Sequence, residues 1–146
     1  MRRLRLSIEP IPQSTWGKSL ANLMPRKEWD KIRKEAYKEA DYQCEVCGEV
    51  NLPLFLHERW TWDEEVSIQR FAGFEVCCEL CHDTHHLGRS KDTKTKAYVE
   101  RLIKHWCKVN GETRKRFNQH AAEVYAVNRK RVNKYYVVKV GRRVLA

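Results

Sequence analysis

The stretch EVCCELCHDTHHLG, residues 75–88, holds three of the chain's six cysteines and three of its six histidines. Sulfur and imidazole at this density point first to metal ligation. Cys78 and Cys81 form one CxxC pair; Cys44 and Cys47 form another, with 30 residues between them. A CxxC turn brings two sulfurs close enough to share an ion. Two such turns complete the tetrahedral four-cysteine set that suits structural Zn2+. The bland alternative is cysteine as a small buried hydrophobe, which two regular pairs argue against. Neighbouring residues of a strand face opposite ways, so Cys78 is read as the ligand and Cys77 as core. Cys107, inside a helical pattern, is read as core as well.

His82 and His86 stand at i and i+4, one face of a helix, and can grip a single ion. His85 is off that pair, either a bystander or a group supporting the ligands. Cys81 directly precedes His82, so a zinc-clamped turn would aim the first imidazole. A third donor is expected from "LHE", residues 56–58, where His57 and Glu58 face opposite sides of a strand unless it is bulged.

These groups need elements to position them. Residues 1–25 read as an extended arm broken by Pro10, Pro12 and Pro25, pinned by Trp16, Leu20, Leu23 and Met24. Residues 26–41 read as a helix with Trp29, Ile32, Ala36, Tyr37 and Ala40 on one face. Strands are expected within 52–60 and 66–77, the second bent at Gly73. A short helix should start near Cys81 and end at Gly88. Residues 93–109 and 113–131 read as helices, with Asn110-Gly111 between them. The tail "KYYVVKVGRRVL" reads as an edge strand guarded by Lys139, Arg142 and Arg143.

Composition narrows the class. Of 146 residues, 29 are Lys or Arg and 19 are Asp or Glu, a net charge of +10. Residues 113–143 carry ten Lys and Arg against one Glu, more bias than a merely solvated helix face requires. A polyanionic partner is expected, nucleic acid first. Candidate phosphate contacts are Arg89, Lys91, Arg114, Lys115, Arg116, Arg129, Lys130 and Arg131. No apolar run suggests a membrane span, and the N-terminus lacks the apolar core of a signal peptide, so the expected location is cytoplasmic. Reduced thiols there again favour metal over disulfides.

The order CxxC, strand with His, second strand, CxxCH-x3-H resembles the HNH endonucleases, the treble-clef ββα-metal nucleases. "HERWTWDEE" and the CH-x3-H-x-G ending look most like a bacterial and phage subgroup. The resemblance covers residues 44–88 and extends loosely to the helix with Trp29 and to "YVERLIKHWCKVNG". It implies an α+β fold: a treble-clef core around a structural four-cysteine zinc site, flanked by an N-terminal helix and two or more C-terminal helices. A single domain over 1–146 would comprise the arm (1–25), an HNH-like core (26–90) and a basic helical extension (91–146).

The resemblance also implies an activity, metal-dependent hydrolysis of phosphodiester bonds, in DNA rather than RNA. His57, Glu58 and His82 would be the catalytic residues. His57, His82 and His86 would hold a second divalent metal, Mg2+, Mn2+, Ni2+ or Zn2+. In the preferred register His57 is the ligand, and Glu58 stands where the family places a base histidine. In the other register His57 is the base, and the ligand position falls to Leu56. Gly73 stands near the family's loop asparagine. These departures keep open a catalytically silent module that binds nucleic acid or a protein partner, and a closed two-zinc scaffold. Asp63, Glu64 and Glu65 read as a solvated turn.

Overall fold

The protein, described by a computed structural model over the backbone of residues 3–145 and the side chains as far as Arg142, is α+β. Its helices are α1 (Leu20–Leu23), α2 (Arg26–Glu39), α3 (Glu79–His85), α4 (Leu87–Thr93), α5 (Lys96–Asn110) and α6 (Arg114–Val132). Its strands are β1 (Leu54–Asp63), β2 (Ile68–Cys78), β3 (Val137–Val140) and β4 (Arg143–Leu145), side by side in that order.

β1 and β2 form an antiparallel hairpin. Arg59 pairs with Gly73 and Trp60 with Phe71, which leaves Ala72 as an extra residue on β2. Gly73 has φ +117, a conformation that L side chains rarely adopt. The expected bend is therefore a bulge, with glycine supplying the backbone freedom. The turn also departs from the sequence reading. Asp63 accepts the N–H groups of Glu65 and Val66, whereas Glu64 accepts hydrogen bonds from Arg131 at 2.7 Å and Tyr136 at 2.6 Å. One residue of the acidic turn thus fastens the hairpin to α6.

The tail corrects a second expectation. β3 is interior: it runs parallel to β2 and turns at Gly141 (φ 59) into β4. The single edge strand read from the sequence is a hairpin, and β4 forms the edge. Arg143, one of the expected guards, has its side chain outside the described residues.

The three long helices form where apolar periodicity runs, with Pro25 leading into α2 and side-chain caps starting α5 and α6. The expected face of α2 is half-buried, and Trp29 meets Phe74 of β2 edge-on at 5.9 Å. Thr95 caps α5 by accepting the Tyr98 N–H, and Gly111 ends it in the left-handed region. Thr113 caps α6 in the same way, accepting from Arg116. The buried core joins Leu87, Leu102, Ile103, Trp106 and Phe117 to the inner cysteines and to Leu6 and Ile8 of the arm.

That last contact overturns the expected pins. Trp16 is 66% exposed and Leu23 45%; only Leu20 of the expected set is buried. The arm is held farther upstream, by hydrogen bonds that no hydrophobic pattern reveals. Asn110 accepts the N–H groups of Arg5 (2.8 Å) and Leu6 (3.1 Å) and donates to the Leu6 carbonyl (2.9 Å). His120 Nε2 accepts the Ile8 N–H at 3.0 Å, and the Glu9 N–H donates to the His85 carbonyl at 2.9 Å.

Candidate functional site

The first cluster is the cysteine set. One sulfur from each of Cys44, Cys47, Cys78 and Cys81 lies within 4.8 Å of the others. Cys44 and Cys47 come from the turn before β1, where the Gly48 N–H donates to the Cys44 carbonyl. Cys78 ends β2, and Cys81 lies one helical turn later in α3. The Cys47 and Cys78 sulfurs are 3.7 Å apart. A tetrahedron with Zn–S bonds of about 2.3 Å has S–S edges of about 3.8 Å, so the spacing fits such an ion. The neighbouring Cys44 sulfur is the main influence pushing the Cys78 thiol up to about 12. Hydrogen bonds from Cys78 and Cys81 in turn lower Cys44, so the set favours one thiolate, and a cation would serve to deprotonate the others. Cys77 is fully buried beside this set and packs in the core, while Cys107 lies against the core from α5. His105, to which sequence reasoning gave no role, sits on α5 with Nε2 3.1 Å from Cys81 Sγ. An imidazole N–H there would support that sulfur.

The second cluster begins one residue on. His57, His82 and His86 each bring a ring nitrogen to within 4.8 Å of the other two. The expected helix breaks at His86 (φ −98, ψ 41) rather than at Gly88, which lies inside α4. The His86 N–H still donates to the His82 carbonyl at 3.1 Å, so the two rings keep their one-turn spacing. The break is tied by Ser90, whose hydroxyl donates to the Asp83 carbonyl. His57 arrives from β1, with its ring edge-on to His82 at 5.7 Å and to His86 at 5.1 Å.

This donor set could hold a metal ion. His57 is only 3% exposed, and neither of its ring nitrogens has a hydrogen-bond partner. An unpartnered buried nitrogen is costly, which makes a ligand a natural partner for it. Burial lowers His57, and lowers His82 to about 3 and His86 to about 2. All three rings are thus neutral near pH 7, with lone pairs for an ion.

His85 behaves oppositely. Its ring is stacked on His57 with centroids 4.2 Å apart. Nε2 donates to Glu75 at 2.6 Å; Nδ1 is shared between the Ser7 carbonyl (2.7 Å) and Glu9 (2.6 Å). Burial alone would lower it, but Glu75 and Glu9 prevail and raise it to about 9. With both nitrogens donating, His85 is a cation with no lone pair to offer. Glu9 is held well below the usual carboxylate range: burial opposes ionisation, and the neighbouring His57 and His85 rings outweigh it.

Glu58 is not drawn into the histidine cluster. Its carboxylate accepts the Leu20 N–H at 2.5 Å, at the start of α1. Burial raises it to about 7 despite that bond. Neither Arg59 nor Arg70 is its partner; Arg59 reaches Glu75 at 3.2 Å. Glu58 lines a cleft of about 260 Å3 together with Glu9, Trp60, Trp62 and Arg131.

The basic candidates are scattered. Arg89 is exposed on α4, and its charge reaches His82 and His86. Lys91 lies over the Tyr125 ring at 5.3 Å. Arg114 is paired with Glu100 at 2.6 Å, and Arg131 with Glu64 at 2.7 Å and the Trp62 ring at 4.5 Å. Arg116 is half-buried, while Lys115, Arg129 and Lys130 are exposed. The Arg114–Arg116 and Arg129–Arg131 groups of α6 lie about 20 Å apart by helical rise, so its basic residues do not form one patch.

Sequence reasoning missed Glu9, Glu75, His105 and His120. An acid in an irregular arm, or a histidine beside a tryptophan in a helix, carries no spacing signature. A scan against protein-family models, a search of curated proteins and a search of solved structures each found no match for this chain.

Proposed function

We propose that this protein is an HNH-type, treble-clef, metal-dependent endonuclease that hydrolyses phosphodiester bonds of DNA. The observation that carries the reading is the buried, unpartnered His57 facing His82 and His86, one turn beyond a four-cysteine cluster. The cysteine set would hold structural zinc and fix the direction of α3. His57, His82 and His86 would hold the second divalent ion. Such an ion polarises a phosphoryl oxygen, lowers the pKa of bound water and offsets charge on the leaving 3′ oxygen. The neutral rings supply lone pairs at pH 7, and the cysteine cluster limits their freedom before any substrate arrives. Arg89, whose charge reaches His82 and His86, is the candidate phosphate contact. Water oxygen would bond to phosphorus as the P–O3′ bond breaks; the attacking water would lose a proton to solvent, and the departing oxygen would take one from solvent.

Glu58 is the point where a second reading gains support. Its carboxylate engages Leu20 rather than the histidines, so Glu58 does not stand ready as a base for the attacking water. That favours a silent module with the same metal clusters, one that binds nucleic acid without cutting it.

One experiment separates the two. Metal content per chain is measured, then plasmid cleavage with Mg2+, Mn2+ or Ni2+ in wild type, His57→Ala, His82→Ala and Glu58→Ala. A nuclease loses cutting in both histidine variants. Folded wild type that binds DNA and cuts with none of these metals leaves the silent module standing.

A further inference from the structure

We propose that Glu9 of the N-terminal arm is a positioning residue for the three-histidine metal site, so that docking of the arm and loading of the metal are one linked event. This rests on the reading of His57, His82 and His86 as metal ligands. It adds a residue that neither the CxxC and histidine spacing nor the family pattern assigns.

The geometry is specific. One carboxylate oxygen of Glu9 takes the His85 Nδ1–H at 2.6 Å; the other lies 3.5 Å from His57 Nε2. Because the two rings are stacked at an interplanar angle of 5°, a single carboxylate spans both edges. Glu9 forms a group with His57 and His85, and a separate group holds His57, His82 and His86; His57 is the shared member. The first group is no second ion site, since both His85 nitrogens already donate. What it offers is a carboxylate beside a ligand imidazole. That arrangement fixes ring orientation and tautomer and raises the basicity of the nitrogen that binds the ion.

His57 needs such a partner. Its strand neighbours do not supply one, and its ring nitrogens have no other acceptor. Glu9 in turn is placed by the bonds that hold the arm: Leu6 to Asn110, Ile8 to His120 and Glu9 to the His85 carbonyl. An ion on His57 would make that ring a better donor toward Glu9 and would tighten the arm. By reciprocity, a docked arm must tighten the metal by the same factor.

The test uses the full chain with one zinc in the cysteine site and Ni2+ as the probe. Calorimetric titration compares wild type, Glu9→Gln, His82→Ala and His86→Ala. Glu9→Gln keeps the shape and removes the charge. It should weaken Ni2+ by about 10- to 100-fold, with zinc content and far-UV dichroism unchanged. In wild type, Ni2+ should slow hydrogen exchange of the Leu6, Ile8 and Glu9 amides relative to protein without Ni2+. That readout needs no substitution, so it decides the matter even if Glu9→Gln does not fold. Ni2+ affinity in Glu9→Gln within about twofold of wild type, or arm amides indifferent to Ni2+, overturns the proposal. If His82→Ala and His86→Ala also leave Ni2+ binding unchanged, the three-histidine site itself is wrong. If they weaken it and Glu9→Gln does not, only the role of Glu9 is lost.

Discussion

At the scale of single residues, stability and function pull apart at His57. A buried imidazole with two unpartnered nitrogens is a poor core residue, and a leucine would fill similar space without that cost. His57→Leu should therefore raise the unfolding free energy, read from urea denaturation of protein lacking metal at the histidine site, by about 1 kcal/mol or more. The same variant should lose Ni2+ binding there. Destabilisation would mean that the ring finds partners in solution and is not kept for an ion. The residue scale is also where the sequence was half legible. The types and spacing of Cys44, Cys47, Cys78, Cys81, His82 and His86 pointed to two clusters, because CxxC and i, i+4 are local geometries. The placement of Glu58 was not legible, since its partner is a backbone N–H 38 residues away in sequence. Glu9 was hidden for the same reason, the two imidazoles it faces lying 48 and 76 positions further along.

At the scale of elements, α3 and the arm matter most. Cys78 and Cys81 fix the entry to α3, and His82 and His86 leave from its last turn, so the cysteine cluster should govern both. Cys44→Ser removes one donor from a cluster whose zinc-binding energy would be part of folding. It should lower zinc to below one per chain, reduce the unfolding temperature and widen the ring geometry at His82 and His86. Full zinc with unchanged thermal stability would contradict the four-cysteine assignment.

The arm has its own pH dependence. Burial lowers His120, and the positive charge of Arg116 lowers it further while Glu123 opposes. Asn110 is fully engaged with Leu6 and the Trp106 carbonyl, and Trp106 stacks on the ring at 5.5 Å. The neutral ring accepts the Ile8 N–H, and the protonated ring cannot. A depressed folded pKa means stability that is present above the unfolded value of 6.5 and lost as pH falls below it. The urea midpoint of wild type should drop between pH 7.5 and 5.5 by more than that of His120→Gln, since an amide oxygen accepts at both values. Equal drops in the two proteins would remove His120 from the arm's attachment. Helices α2, α5 and α6 were legible from their amphipathic period, with Pro25 before the first and capping threonines before the other two. The tail was not, because a strand's place within a sheet is set by what packs beside it and not by its β propensity.

At the scale of the whole molecule, the net charge of +10 says that a polyanion is welcome but not where it lies. Internal pairing narrows the choice. Arg114 is held by Glu100 and packs over Phe117, so bringing it to a phosphate would break an existing ion pair. Arg89 is exposed, and its charge already acts on the two α3-derived rings. A duplex whose phosphate sat at the histidine cluster would therefore meet Arg89 and bypass Arg114. Each phosphate contact releases counterions and adds about 0.9 to the slope of log affinity against log salt. Binding of a DNA duplex measured across a salt series should lose about one unit of slope in Arg89→Ala and almost none in Arg114→Ala. The reverse pattern would place the nucleic acid along the start of α6. The histidine cluster would then lie off its path, and the case for phosphodiester chemistry at His57, His82 and His86 would lose its substrate.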